Sequence, residues 1–373
     1  MMIMKKIYLL QATTTPYRTE LFNLMEEESN TTNIDLTILY YKKMMGDRDW
    51  SVDESQMHHK YKIYDCFEYF IKSYPFYFSY SLIRDLIKEP ETEVILGVSW
   101  NDFIVMMIVT LKRLGILKNK LHFWTEANYM AGGMKKKNSL KDKMRNYVFN
   151  TIDGKLIIPG RVAELTVKEH WHLDTEIIYL PNTVNIDFKE VNAKTFSNHK
   201  INVLIVARLE ENIKGILNFI KNIDPKDLSK CHIIIAGEGR DRILYEDYIK
   251  KHFLDNIQLL GNIDREELLE YYKGCNLFVI PSFSDPNPLS IIEALFAAKP
   301  MLVSDQCGNK FEAIEEGMNG YLMNPYDSKD IKDKFHTLIN RENNFKNMGE
   351  KSYAIALENF EPKKIVKNFL SSL

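Results

Sequence analysis

Arg208 and Lys214 follow an apolar run, Val203–Ala207, that reads as a β-strand, and Lys214 is placed at the start of the next helical pattern, beside Gly215. A turn from strand to helix carries such cations to the carboxyl edge of a parallel sheet, where ligands of these sheets bind. Arg offers a planar fork of donors and Lys a compact mobile charge, so the two could neutralise a departing diphosphate. Taken alone, an Arg and a Lys at a strand end are more often solvated surface cations. The next strand, His232–Ala236, runs into Gly237, Glu238, Gly239 and Arg240, a tight glycine turn that would let backbone approach a ligand closely.

The richest stretch is Pro281–Pro300, PSFSDPNPLSIIEALFAAKP. A buried strand ends in a polar loop holding Asp285, and the loop runs through Pro288 into an amphipathic helix carrying Glu293. Leu289 and Ser290 fall in the first turn of that helix, where free N–H groups and the helix dipole suit a phosphate. Asp285 could be a plain turn residue, and Glu293 a solvated position. Glu293 nevertheless lies between Ile292 and Ala294, where a carboxylate without a partner would be costly.

Arg208–Gly215, Gly237–Arg240 and Pro281–Pro300, continued by Ser304, Gly308, Glu312, Gly317 and Gly320, resemble the donor-binding half of the retaining GT-B glycosyltransferases of family four. The resemblance implies a fold of two Rossmann-like domains with parallel sheets facing across a cleft. It implies that Asp285 meets the donor sugar and Glu293 the ribose, that the base lies near Ile263, and that the diphosphate meets Arg208, Lys214 and the amides of Leu289 and Ser290. It also implies transfer with retained configuration, in which the leaving phosphate takes the acceptor's proton, and it calls for no metal and no cofactor. Two departures stand out: Asp285 replaces the family's usual Glu, and Pro286, Asn287 and Pro288 replace its glycines, which stiffens the loop.

These groups need elements to hold them. Short β-rich runs alternate with helical patterns through the first half: Ile3–Leu10, Ile34–Tyr40, Val94–Gly97, Leu121–Thr125, Leu156–Pro159 and Ile177–Leu180. The second half repeats the scheme with the two strands already named, then Ile257–Leu260, Leu277–Pro281, Met301–Ser304 and Gly320–Met323. Asp264 and Glu267 form a capping box. The expected organisation is an acceptor-side domain over 1–180, a linker over 181–200, a nucleotide-sugar domain over 201–355, and a terminal helix over 356–373 that packs back on the first domain. No strand is assigned between Tyr40 and Val94, and 42–60 reads as a polar loop.

On the acceptor side, Pro16, Tyr17 and Arg18 occupy the first strand-to-helix turn, while Trp124, Glu126 and Asn128 follow the strand Leu121–Thr125 and reach the cleft. Glu126 is the candidate for assisting the acceptor, with a helix-start carboxylate as the alternative. The first turn, QATTTPYR, lacks the glycines of a dinucleotide-binding dehydrogenase, and no G-x-x-x-x-G-K-S/T loop occurs. Asp47, Arg48 and Asp49 spell an acidic metal signature, discounted because it sits in a polar loop rather than at a buried strand end.

The balance of 49 basic and 51 acidic residues gives a net charge of -2 and no drive toward nucleic acid. Cys66, Cys231, Cys275 and Cys307 are scattered, without zinc-site spacing, which suits a reduced cytoplasmic chain. From Lys112 to Arg145, ten Lys or Arg stand against Glu126 and Asp142, interleaved with aromatic and apolar residues. Such a surface is either a solvated basic face or one that rests on anionic lipid at the inner membrane. The family resemblance implies transfer from a nucleotide-sugar, UDP-linked with GDP-mannose as the alternative, to a saccharide or lipid-linked saccharide of a bacterial surface polysaccharide. Two alternatives remain: an inverting transferase or sugar-nucleotide epimerase using Glu126 or His122 as general base, and an inactive nucleotide-sugar-binding scaffold.

Overall fold

A computed structural model describes residues 4–29, 31–41, 54–71, 74–130, 139–196 and 199–373. The acidic signature Asp47–Asp49, most of the expected 42–60 loop and residues 131–138 of the basic stretch lie outside the described residues.

Two parallel sheets organise the chain. The first contains β1 (Lys5–Gln11), β2 (Ile34–Tyr40), β3 (Tyr61–Ile63), β6 (Glu93–Leu96), β7 (Leu121–Trp124), β8 (Leu156–Ile158) and β9 (Ile177–Tyr179), in the order β3-β2-β1-β6-β7-β8-β9. The second contains β10 (Ile201–Val206), β11 (Cys231–Ala236), β12 (Ile257–Gly261), β13 (Leu277–Ile280), β14 (Met301–Ser304) and β15 (Gly320–Met323), in the order β12-β11-β10-β13-β14-β15. Their central strands are buried on both faces, as continuous runs such as Val203-Leu204-Ile205 require when helices cover a sheet from both sides. Each order reverses once, between β1 and β6 and between β10 and β13, and these reversals open crevices beyond the carboxyl ends of the strands.

No strand is expected over residues 61–78 from the sequence, yet β3 joins the first sheet, and β4 (Phe67–Ile71) pairs with β5 (Tyr74–Phe78) as a separate antiparallel hairpin. β3 is exposed or half-buried throughout, so its sequence lacks the apolar run that marks the inner strands. The Asp264 cap is present, its Oδ1 accepting from the Glu267 N–H at 2.8 Å. The reciprocal half of the box is not made, because the Glu267 carboxylate turns instead to Lys194 at 3.2 Å.

Phe188 and Phe196 of the expected linker pack against the second core, and the Lys194 N–H donates to the Glu270 carbonyl. The last helix, Pro362–Ser372, is capped by Glu361 and buries Ile365, Val366, Phe369 and Leu370 with Leu21, Phe22 and Met25 of the helix Pro16–Ser29. The chain's end is therefore stitched to its beginning, and Lys5 Nζ donates to the Leu373 carbonyl at 2.5 Å. Phe369 is fully buried at this seam. Phe369→Ala should cost about 3–5 kcal/mol by leaving a cavity. Urea unfolding followed by tryptophan fluorescence should show an earlier midpoint, and an unchanged midpoint would remove the helix from the first domain's core.

Candidate donor and acceptor site

At the crevice of the second sheet, the loop after β13 docks on the turn that carries Lys214. The N–H groups of Phe283 and Ser284 donate to the Ile213 carbonyl at 2.8 and 3.2 Å. Lys214 closes a short helical turn, Glu211–Lys214, rather than opening the next helix, because Gly215 follows at φ +58 and redirects the chain. Glu211 braces that turn: its carboxylate accepts from the Leu217 and Asn218 N–H groups and from the Tyr245 hydroxyl, the last at 2.6 Å. The outcome is a largely buried ion pair between Lys214 Nζ and Asp285 Oδ2 at 2.5 Å. Lys214 and Asp285 therefore meet each other.

Arg208 is directed elsewhere. Its guanidinium, 58% exposed, pairs with Glu210 at 2.9 Å. Gly237 has φ +141, and a Cβ there would lie 2.1 Å from the Ala207 carbonyl oxygen. Glycine is thus demanded by the crossing of two loops, which also brings the Glu238 carbonyl to the Leu209 N–H at 2.9 Å. Gly239 is similarly pressed on Leu209, and the Glu238 carboxylate pairs with Arg242. Ile263 is half-buried and packs against the second core.

Pro288 precedes the helix Leu289–Phe296, so the N–H groups of Leu289 and Ser290 lie in its first turn. Glu293 accepts a hydrogen bond from the Tyr272 hydroxyl at 2.7 Å. Burial pushes the Glu293 carboxyl above its ordinary value of 4.5, while Tyr272 and then Arg265 oppose the rise. Tyr272 was missed in sequence, since nothing in its own segment marks it. Arg265, also missed, reaches Glu20 at 2.5 Å and so ties the two domains together beside Glu293.

At the crevice of the first sheet lies a cavity of about 550 Å³ whose lining includes Gln11, Arg18, Trp124, Glu126 and Asn128. Arg18 stacks 3.8 Å over the Trp124 ring and pairs with Glu126 at 2.9 Å. Glu126 Oε1 also accepts from Asn182 at 3.3 Å, and Asn128 Oδ1 accepts from the Met130 N–H at 2.8 Å. Pro16 opens the helix that presents Arg18, with Tyr17 next to it. Pro286, the residue after Asp285, also lines this cavity. His122 does not line it: it is fully buried within β7, bonded to Glu93 at 2.7 Å and accepting from the Lys155 N–H. Burial lowers its pKa, with Glu93 opposing. It serves the sheet, which removes it as a general base. Among the described residues no group of His, Cys, Asp or Glu could hold a metal ion.

Residues 187–355 match the family model "Glycosyl transferases group 1", a little under half of the chain. An uncharacterized glycosyltransferase of Methanocaldococcus jannaschii is 26% identical over 63% of this chain and 64% of its own length. The N,N'-diacetylbacillosaminyl-diphospho-undecaprenol alpha-1,3-N-acetylgalactosaminyltransferase of Campylobacter jejuni is 28% identical over 48% of this chain and 46% of its own. The chain thus spans less than two thirds of the length of these relatives. The lipopolysaccharide outer core galactosyltransferase WaaB superposes with a TM-score of 0.74 at 14% identity, covering 98% of this chain and 99% of its own. Anabaena HepE in complex with UDP gives 0.73 at 16% identity over 99% and 100%. The fold is GT-B, and residues 187–355 of its second half are similar to the group 1 glycosyl transferases.

Because the folded Glu293 carboxyl holds a proton at pH values where the unfolded one has lost it, its contribution to stability is complete below pH 4.5 and is lost as pH rises through the raised value. Thermal melts from pH 4.5 to neutrality should therefore fall less steeply in Glu293→Gln than in the wild type. Equal slopes would show that Glu293 is not a buried acid.

Proposed function

We propose that the protein is a retaining glycosyltransferase that moves a sugar from a nucleotide-sugar, a UDP-sugar, to a saccharide acceptor carried on a lipid, in surface polysaccharide synthesis at the cytoplasmic face of a membrane. The observation that carries this reading is the loop Asp285–Pro288: Asp285 pairs with Lys214 at one crevice, and Pro286 lines the cavity of the other. A sugar seated at this loop would have the diphosphate on one side and the acceptor on the other. Support comes from the group 1 match and from the UDP complex of a protein with the same fold.

The chemistry follows from positioning and charge. An ammonium has three donors, so Lys214 can keep Asp285 and still reach a diphosphate oxygen, offsetting the negative charge that grows as the glycosidic bond breaks. Arg208 is exposed and can swing from Glu210 to the same diphosphate. Glu293, oriented by Tyr272, would take a ribose hydroxyl. The acceptor hydroxyl gives its proton to the departing phosphate on the face where the new bond forms, so the chain need supply no nucleophile. An inverting mechanism would need a base in the cavity. Glu126 suits that role poorly, since one of its oxygens already accepts from both Arg18 and Asn182.

With a panel of UDP-, GDP- and ADP-sugars and lipid-linked acceptors, the product should keep the donor's anomeric configuration by NMR. An inverted product would contradict the mechanism. Lys214→Ala should lower kcat by about 10²-fold or more. Removing one partner of a buried pair also destabilises a fold, so circular dichroism must show the variant folded at the assay temperature. Undiminished turnover in a folded variant would take Lys214 out of the mechanism.

A further inference from the structure

The hairpin β4–β5 stands outside both sheets and turns large aromatics to water: Phe67, Tyr69 and Phe70 are 73%, 69% and 59% exposed. Two strands alone are marginally stable. This pair is nonetheless fastened to the wall of the acceptor cavity. Phe76 packs edge-on against Phe103, with ring centroids 5.7 Å apart, and Tyr77 meets Tyr41 at 6.2 Å. The Tyr41 hydroxyl donates at 2.6 Å to Asp102, which lines the cavity.

The same margin continues through Trp100, another lining residue, to the helix Ser139–Phe149. Lys141 Nζ lies 6.0 Å from the Trp100 ring, and the helix exposes Leu140 and Met144 beside its lysines. Its charges are Lys141, Lys143 and Arg145 against Asp142, which pairs with Arg145. Aromatic, aliphatic and cationic groups thus share one rim.

We propose that this rim is a membrane-docking surface, with the hairpin aromatics at the boundary of headgroups and acyl chains and the helix lysines over anionic headgroups. Tyr and Phe side chains suit that boundary, and juxtaposed lysines are drawn to anionic lipid. A second copy of the chain fits less well, because an isologous contact would take these lysines out of water in both copies, whereas anionic headgroups pair with them. The surface rests on the proposed transfer reading for its purpose: a docked rim holds the cavity mouth at the height where a lipid-linked saccharide emerges. The docking itself does not depend on that reading.

The test is co-sedimentation of the full chain with vesicles of phosphatidylcholine alone and of phosphatidylcholine with phosphatidylglycerol. The wild type should bind the anionic vesicles, more weakly as salt rises. The triple variant Phe67→Ser, Tyr69→Ser, Phe70→Ser, shown folded by circular dichroism, should bind at least about tenfold more weakly. Lys141→Gln with Lys143→Gln should lose most of the preference for anionic lipid. Wild-type protein that stays in the supernatant, or a triple variant that sediments as the wild type does, overturns the proposal. So does a dimer in analytical ultracentrifugation that the triple variant abolishes, since a second copy would then cover the rim. Transfer assayed in the same preparations separates the two readings: transfer without vesicle binding sinks the surface alone, and vesicle binding lost in the variant without any transfer sinks the transfer reading alone.

Discussion

A missing methyl group holds the site together. A Cβ on Gly308 would lie 1.6 Å from the Pro286 carbonyl oxygen, so only glycine lets the loop after β14 press against the loop after β13. Hydrogen bonds close the contact: the Gly308 N–H donates to the Asp285 carbonyl at 2.9 Å, and Asn309 Nδ2 donates to the Pro288 carbonyl at 3.0 Å. Pro286 and Pro288 remove backbone freedom from the same segment. Clamped in this way, one short loop sets Asp285 on Lys214, Pro286 in the cavity and Pro288 at the start of the helix bearing Glu293. The stiffness of this loop is therefore matched by a brace from the loop after β14.

The two crevices face each other because several contacts cross between the domains. Arg265 reaches Glu20, and Glu312 accepts from the Arg161 N–H at 2.6 Å while packing on Gly160. Lys310, largely buried, donates to the Asp305 carbonyl and lies 3.7 Å from the Met130 sulfur. Burial pushes the Glu312 carboxyl above its ordinary value and the Lys310 ammonium below its own. These groups sit where the domains meet, and their cost is accepted at the place that fixes cleft geometry.

Much of this was legible in sequence, for physical reasons. Runs such as Ile233-Ile234-Ile235 announce strands buried on both faces, and Asp264 announces its helix because a short acceptor at a helix start satisfies orphan N–H groups. The order of the motifs was enough to place Asp285 and Lys214 at one sheet edge. What escaped was pairing across the fold. That Lys214 would neutralise Asp285, or that Tyr272 would orient Glu293, depends on how loops dock, and local periodicity carries no trace of it. The glycines of the Gly237 turn suit a close ligand or a plain strand end in sequence, and the structure adds that Gly237 makes room for the Ala207 carbonyl. His122 looked available as a base because burial within a strand cannot be told from a single position. The hairpin β4–β5 was passed over since its aromatics face water and fit no core pattern.

The central claim is that Lys214 and the braced loop form the seat of a nucleoside diphosphate. Its most direct test is calorimetric titration of UDP, GDP and ADP into the purified protein and into a folded Lys214→Met variant. One diphosphate, UDP, should bind the wild type and lose about tenfold or more in affinity when the ammonium is removed, in line with the strength of charge-assisted bonds to phosphate. Equal affinity in the two proteins, or no binding of any of the three by the wild type, would contradict the account.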